Sequence, residues 1–362
     1  MRIPLVLGAL AVAALLLWLR SPSPIRSEAF DAGPPPPLEG ALAVNRALDA
    51  CVRISVGEIP HSDKLLIDAR GRVYAGDDQG RIHRLTPQPG GGYSREVVAR
   101  IDDRPMELDF APDGRLVVAD LEGPHVVIDA QGEVTRLATL GNLPMGTAGL
   151  AVGSDGVLYY GAHTETHSAD GSHGILLDML ESRPGGELRA YDPVSGEERT
   201  LVTGLYTPVG VELSAREDFV AVAEFFAYRV TRYWLTGPRA GSSDLLLENL
   251  PGMVDGLASD GRGTFYVTLP AYRNGALDWL NKRPRVKDQL AKLVEPLHRL
   301  GFGPAPEGTA VLAVDEEGRV LRSFHDPDGR HWSQITAAEV DGDQLVIGSI
   351  AGDWIARCPL SP

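Results

Sequence analysis

The chain has 362 residues and a formal net charge of -15, with 41 glycines, 27 prolines and few aromatic residues. That charge argues against a nucleic-acid partner, whose phosphates need clustered Lys and Arg. The length allows one large all-β domain or two ordinary ones, and the glycine and proline content suits a fold rich in turns.

The N-terminus is apolar without interruption from Ile3 to Leu19, with Arg2 and Arg20 at its flanks and Trp18 near its end. Those 17 residues sit at the lower limit for spanning a hydrocarbon core of ~30 Å. A signal-anchor transmembrane helix over 1–22 is expected, with the rest of the chain extracytoplasmic. A cleaved signal peptide is the alternative, but WLRSPSPIR offers no small-residue cleavage site after the run. Residues 23–50, with SPSPIRSEAFDAGPPPPLEG, read as an extended Pro-rich linker.

From 51 to 362 one unit recurs: an apolar pair, a D-G or similar turn, a short apolar strand and a polar turn. It stands at 63–76, 106–120, 148–161, 209–224, 255–268 and 334–349. Six copies, roughly 40 residues apart where no insert intervenes, predict a six-bladed β-propeller, whose radial repetition leaves only short sheet edges. The last copy is short, and CVRIS at 51–55 is expected to complete its blade. That brings Cys51 and Cys358 onto neighbouring strands, either as a disulfide or as two buried thiols. A bridge there would close a loop of about 300 residues, worth on the order of 5 kcal/mol as an upper figure.

Inside the repeats, Glu224 places a charge at the end of VAVAE, between two apolar strands. Asp120 ends the equivalent strand of the second copy, so a hydrogen-bond acceptor role is expected, with Arg229 or Arg232 as donor. HTETHSADGSH (163–173) carries His163, His167 and His173 in a loop after a blade-three strand; His163 is a candidate general base, although exposed loop histidines are common. About 276–302 lies the single expected helical insert, with a stripe of Leu290, Leu293, Val294, Leu297 and Leu300 among basic residues. Pro284 and Pro296 are expected to limit it to about three turns. It reads either as a lid touching an anionic membrane surface or as a helix packed on a blade.

EFFAYRVTRYWLTGPRAG (224–241), TPVGVELS (207–214), LLDMLESRPGGELRAYDP (176–193), LENLPGMVDGL (247–257) and SFHDPDG (323–329) together resemble strictosidine synthases and strictosidine-synthase-like proteins. The N-terminal anchor is similar to that of the adipocyte plasma-membrane-associated branch. The resemblance implies a six-bladed propeller related to the paraoxonases and the SMP-30/gluconolactonase group, which hydrolyse lactones and esters with Ca²⁺. It also implies a divalent ion at the tunnel mouth, held from the starts of the innermost strands by acidic and Asn side chains, hard oxygen ligands that suit Ca²⁺. Repeat alignment puts Asp63, Met106, Ala148, Val209 and Asp255 at those starts. Asp63 and Asp255 fit; Ala148 and Val209 stand where Asn is usual, and neither coordinates a metal. Glu107, where three other copies have glycine, either supplies a third carboxylate or points into solvent. The catalytic Glu of true strictosidine synthases falls here at Ile335 or Thr336, so a Pictet–Spengler condensation is not expected. Two functions follow: a hydrolase of small esters or lactones with a reduced metal site, or a silent propeller binding a small molecule or protein.

Overall fold

The computed structural model describes residues 16–120, 125–137, 147–163, 172–300 and 307–361. Its β-strands form six four-stranded antiparallel sheets. Each sequence repeat supplies the two inner strands of one blade. These are β2 (Leu65–Ile67) and β3 (Val73–Gly76), β6 (Pro105–Phe110) and β7 (Leu116–Asp120), and β10 (Thr147–Val152) and β11 (Leu158–Ala162). The other three pairs are β14 (Pro208–Leu213) and β15 (Phe219–Glu224), β18 (Leu257–Ser259) and β19 (Thr264–Leu269), and β22 (Ile335–Asp341) and β23 (Gln344–Ser349). Innermost strands of successive blades approach one another all the way round, and β22 meets β2 to close the ring.

Closure comes from the first strand. β1 (Val52–Val56) pairs antiparallel with β24 (Trp354–Pro359), giving the last blade the order β1-β24-β23-β22. Cys51 and Cys358 are joined by a disulfide, with Cα atoms 4.1 Å apart, just below the usual range. Beside it, Trp332 packs edge-on against Trp354 at 4.9 Å and donates from its indole N–H to the Leu48 carbonyl at 2.9 Å. The cores lie between blades. One cluster joins Ala151, Tyr159 and Leu188 of the third blade to Val211, Val220 and Val222 of the fourth. Strand alternation feeds these layers, because one face of each sheet meets the next blade.

A second compact unit is helical, drawn from the described parts of 1–31, 166–183 and 275–304. It contains α1 (Ser172–Glu181), α2 (Gly275–Asn281) and α3 (Pro284–Arg299). Its core is Ile25, Leu180 and Ala291, with Leu177, Leu280 and Val294 around them. Two expectations change here. α1 was not foreseen, because only the 276–302 insert showed a helical period. α3 is also longer than expected: Pro284 opens it, where a missing N–H costs nothing, and the helix runs through Pro296 to Arg299. Residues 23–50, read as a linker, contribute packed side chains: Ile25 to the helical core and Leu48 to blade six. No helix among the described residues is long and apolar enough to cross a membrane; residues 1–15 of the expected anchor lie outside them.

Candidate functional site

The six innermost strands begin in one register, and backbone crowding explains their glycines. A Cβ on Gly149 would meet the Val209 carbonyl at 2.7 Å, one on Gly210 the Asp255 carbonyl at 2.3 Å, and one on Gly256 the Thr336 carbonyl at 2.2 Å. Blades three, four and five thus start with their backbones pressed on the next blade. In blades one and two the same register position carries a full side chain, Lys64 and Glu107. Lys64 is the residue that sequence reasoning missed. Its signal was present, since it follows Asp63 as Glu107 follows Met106.

The Lys64 ammonium is buried and donates to Asp255 Oδ1 at 2.6 Å. Burial opposes its charge, but Asp255, Glu107 and Asp63 outweigh that penalty and raise its pKa. Asp255, also buried, is lifted to about 6 by desolvation, against the pull of Lys64. Asp63 stands 4 % exposed with the Arg104 guanidinium 3.4 Å away, while its Oδ1 accepts no hydrogen bond among the described residues. Glu107 is buried rather than solvent-facing; desolvation lifts it to about 8 although Lys64 pulls the other way, so it is largely protonated at neutral pH. The structure therefore gathers the three sequence-derived carboxylates into one electrostatic cluster around Lys64.

A second acidic layer lies two register positions further along. Asp109, Glu212 and Glu339 come from β6, β14 and β22, the innermost strands of alternate blades. Burial raises Asp109 to about 6 and Glu212 to about 8, and Glu339 well above the usual carboxylate range. Backbone donors partly compensate: Val152 N–H reaches Asp109 at 2.6 Å and Leu213 N–H reaches Glu212 at 2.8 Å.

The remaining expected positions are hydrogen-bonding bystanders or apolar. Ala148 and Ile335 are buried and Val209 is half-buried. Thr336, beside Ile335, donates to the Asp63 carbonyl at 2.9 Å, which ties blade six to blade one. His163 directly follows β11; desolvation lowers it to about 4, leaving it neutral but weakly basic. His167 and the His173 side chain lie outside the described residues. Glu224 is the structural acceptor expected of it. It is fully buried and takes two guanidinium bonds from Arg229 at 2.7 and 2.8 Å, the Thr231 hydroxyl at 2.5 Å and the Tyr206 N–H at 2.8 Å.

The donor set does not fit a divalent ion. An ion at the mouth would face the buried Lys64 ammonium, which already holds Asp255, and Ala148 and Val209 offer no oxygen. No group of three or more His, Cys, Asp or Glu among the described residues is arranged to hold a metal. The cation at the centre of these carboxylates is a covalent part of the chain.

A strictosidine synthase family model matches residues 148–238, and a model of the strictosidine synthase-like N-terminal region matches 40–85. Over these residues the chain is similar to the strictosidine synthases and their relatives. It is 28% identical to the adipocyte plasma membrane-associated protein of Gallus gallus, over 98% of this chain and 88% of that one. Among solved structures, a Xanthomonas campestris gluconolactonase superposes with a TM-score of 0.61 at 13% identity, covering 94% of this chain and 99% of that chain. Regucalcin of Agrobacterium tumefaciens, described as a calcium-binding protein, superposes with a TM-score of 0.57 at 13% identity, covering 84% and 92%. At such identities the structural likenesses establish the propeller fold and nothing finer.

Proposed function

We propose that the protein is a membrane-associated propeller whose channel mouth takes a small ester or lactone without a divalent metal. The observation that carries this reading is the buried Lys64 ammonium 2.6 Å from Asp255. It supplies the positive charge that a polarised carbonyl oxygen needs, and Asp255 takes one of its three donors. Glu107, protonated near neutrality, adds an uncharged acid beside it. The gluconolactonase likeness supports the substrate class, and the name of the animal relatives, with the apolar run from Ile3 to Leu19, supports membrane association. A single-pass anchor with the propeller on the extracytoplasmic side accords with the disulfide.

Binding without turnover is the second reading. It is favoured by His163, whose low basicity makes it a poor general base at neutral pH. A panel of aryl esters and lactones, assayed with chelator and with added Ca²⁺, separates the readings. Hydrolysis equal under both conditions and lost in Lys64→Met supports a metal-independent enzyme. Ligand-induced thermal stabilisation with no hydrolysis supports the silent binder. Hydrolysis abolished by chelator contradicts both.

A further inference from the structure

The helical unit carries an apolar face that is exposed among the described residues. On α3 the inward stripe is Lys287 and Ala291, both buried, and the half-buried Val294, which packs against the core of Ile25, Leu180 and Ala291. One residue earlier on each turn runs a second stripe, Val286, Leu290, Leu293 and Leu297, continued by Leu300 just past the helix. All five are exposed, Leu300 by 72 % and Leu297 by 43 %. Their spacing of four, three, four and three residues is that of one continuous helix face. The next residue back on the wheel gives a polar border, Arg285, Gln289, Lys292 and Arg299, interrupted by Pro296.

Two observations identify what covers this face. The first is charge: residues 275–300 hold six Lys and Arg against three Asp and Glu, in a chain of net charge -15. The second is the path of the chain. The helical residues 16–20 are held against α3, with the Lys292 ammonium donating to the Trp18 carbonyl at 2.8 Å and lying 5.2 Å from its ring centroid. Leu16, Leu17 and Leu19 are exposed there, and the sequence before them continues apolar back to Ile3. Residues 16–20, which follow most of the apolar run in sequence, thus lie against Gln289 and Lys292 on the polar border of α3.

We propose that α3 lies in the headgroup region of an anionic bilayer, with Val286, Leu290, Leu293, Leu297 and Leu300 dipping toward the acyl chains. Arg285 and Lys292 sit at the depth of the lipid phosphates, where a basic border beside an apolar stripe is favoured. The helix is then a second membrane contact. It fixes how the protein is held at the surface, which a flexible tether alone does not.

Site-directed spin labelling of the full chain tests this, because the two native cysteines are joined and leave an introduced cysteine free to react. Labels are placed at Leu293→Cys and Leu297→Cys, with Val194→Cys, 93 % exposed in the native chain, as the aqueous reference. The protein is reconstituted into bilayers of phosphatidylcholine and phosphatidylserine, or of phosphatidylcholine alone. Contact requires the ratio of oxygen to nickel-complex accessibility at 293 and 297 to be several times that at 194, and to fall when the anionic lipid is omitted. Labels at 293 and 297 as open to nickel as the one at 194 would overturn the proposal, since the N-terminal run would then tether the protein with α3 in water. Protection without lipid dependence, accompanied by dipolar coupling between copies, would overturn it in favour of a dimer.

Discussion

Two buried ion pairs of this propeller look alike in sequence and differ in what surrounds them. Glu224 and Arg229 face each other across β15 and the adjacent strand Arg229–Trp234, and the carboxylate is saturated by a bidentate guanidinium, a hydroxyl and a backbone N–H. Lys64 and Asp255 join blades one and five through one bond, with Asp63 and Glu107 close enough to influence the lysine. The first pair is closed, with both carboxylate oxygens of Glu224 hydrogen-bonded. The second sets the Lys64 ammonium among Asp255, Asp63 and a protonated Glu107, with a buried Asp63 oxygen that accepts no hydrogen bond among the described residues. A saturated buried pair holds a blade together; an unsaturated one at the starts of the innermost strands is the place where the proposed ligand contact is to be tested.

Breaking the closed pair has the largest expected effect. Glu224→Ala strands the Arg229 guanidinium, the Thr231 hydroxyl and the Tyr206 N–H, at a cost of about 3–5 kcal/mol. Thermal melting should fall by about 10 °C. The loss should be nearly independent of pH between 6 and 8, because the arginine it strands does not titrate there.

Breaking the open pair costs less and depends on pH. Lys64→Met leaves Asp255 and Asp63 to repel each other, but they relieve the strain by taking up protons, which limits the loss to about 2 kcal/mol at neutral pH. The difference from the unmodified protein in chemical denaturation should shrink as pH falls through about 6, the value to which burial lifts Asp255. A deficit that stays constant down to pH 4 would mean that Lys64 acts by packing alone.

The deeper acidic layer sharpens the contrast. Folding raises Glu212 to about 8 and Glu339 also well above its ordinary value. The folded state therefore holds protons that the unfolded state has released, so the stabilising contribution of Glu212 is full below about pH 4 and is lost as pH rises toward 8, and that of Glu339 is lost in the same direction. Stability should decline across that window by at most about 1.4 kcal/mol per pH unit per group. Glu212→Gln and Glu339→Gln should each flatten the decline, as read from denaturation midpoints against pH.

Much of this arrangement was legible in the sequence, for identifiable reasons. The six repeats carry their own turn chemistry, so blade number, ring closure by residues 51–55 and the neighbouring of Cys51 and Cys358 could be read directly, while the choice between a bridge and two thiols came from the structure. Glu224 was readable because Asp120 repeats its position. The convergence of Asp63 and Asp255 followed from register. Lys64 escaped because glycine dominates its register position, which made that position look purely structural. Asp109, Glu212 and Glu339 alternate around the ring between Leu66, Ala151 and Ala258, so no adjacent pair of repeats shares the acid. The helix α1 escaped because the apolar residues Leu176, Leu177, Met179 and Leu180 follow a Gly- and His-rich loop and span too few turns to show a period.

The smallest effect is the most specific. Ala148→Asn with Val209→Asn supplies two of the oxygens that a calcium site would need, yet should leave calcium affinity unchanged while Lys64 remains. Adding Lys64→Ala to that pair should create measurable binding by titration calorimetry.

The central claim is that the Lys64 ammonium stands in the place of a divalent ion. Thermal melting of the unmodified protein in Ca²⁺ and in chelator tests it most directly, with Lys64→Ala measured alongside. The account predicts the same melting temperature for the unmodified protein under both conditions and a Ca²⁺-dependent rise for Lys64→Ala. A rise with Ca²⁺ and a fall with chelator in the unmodified protein would contradict it.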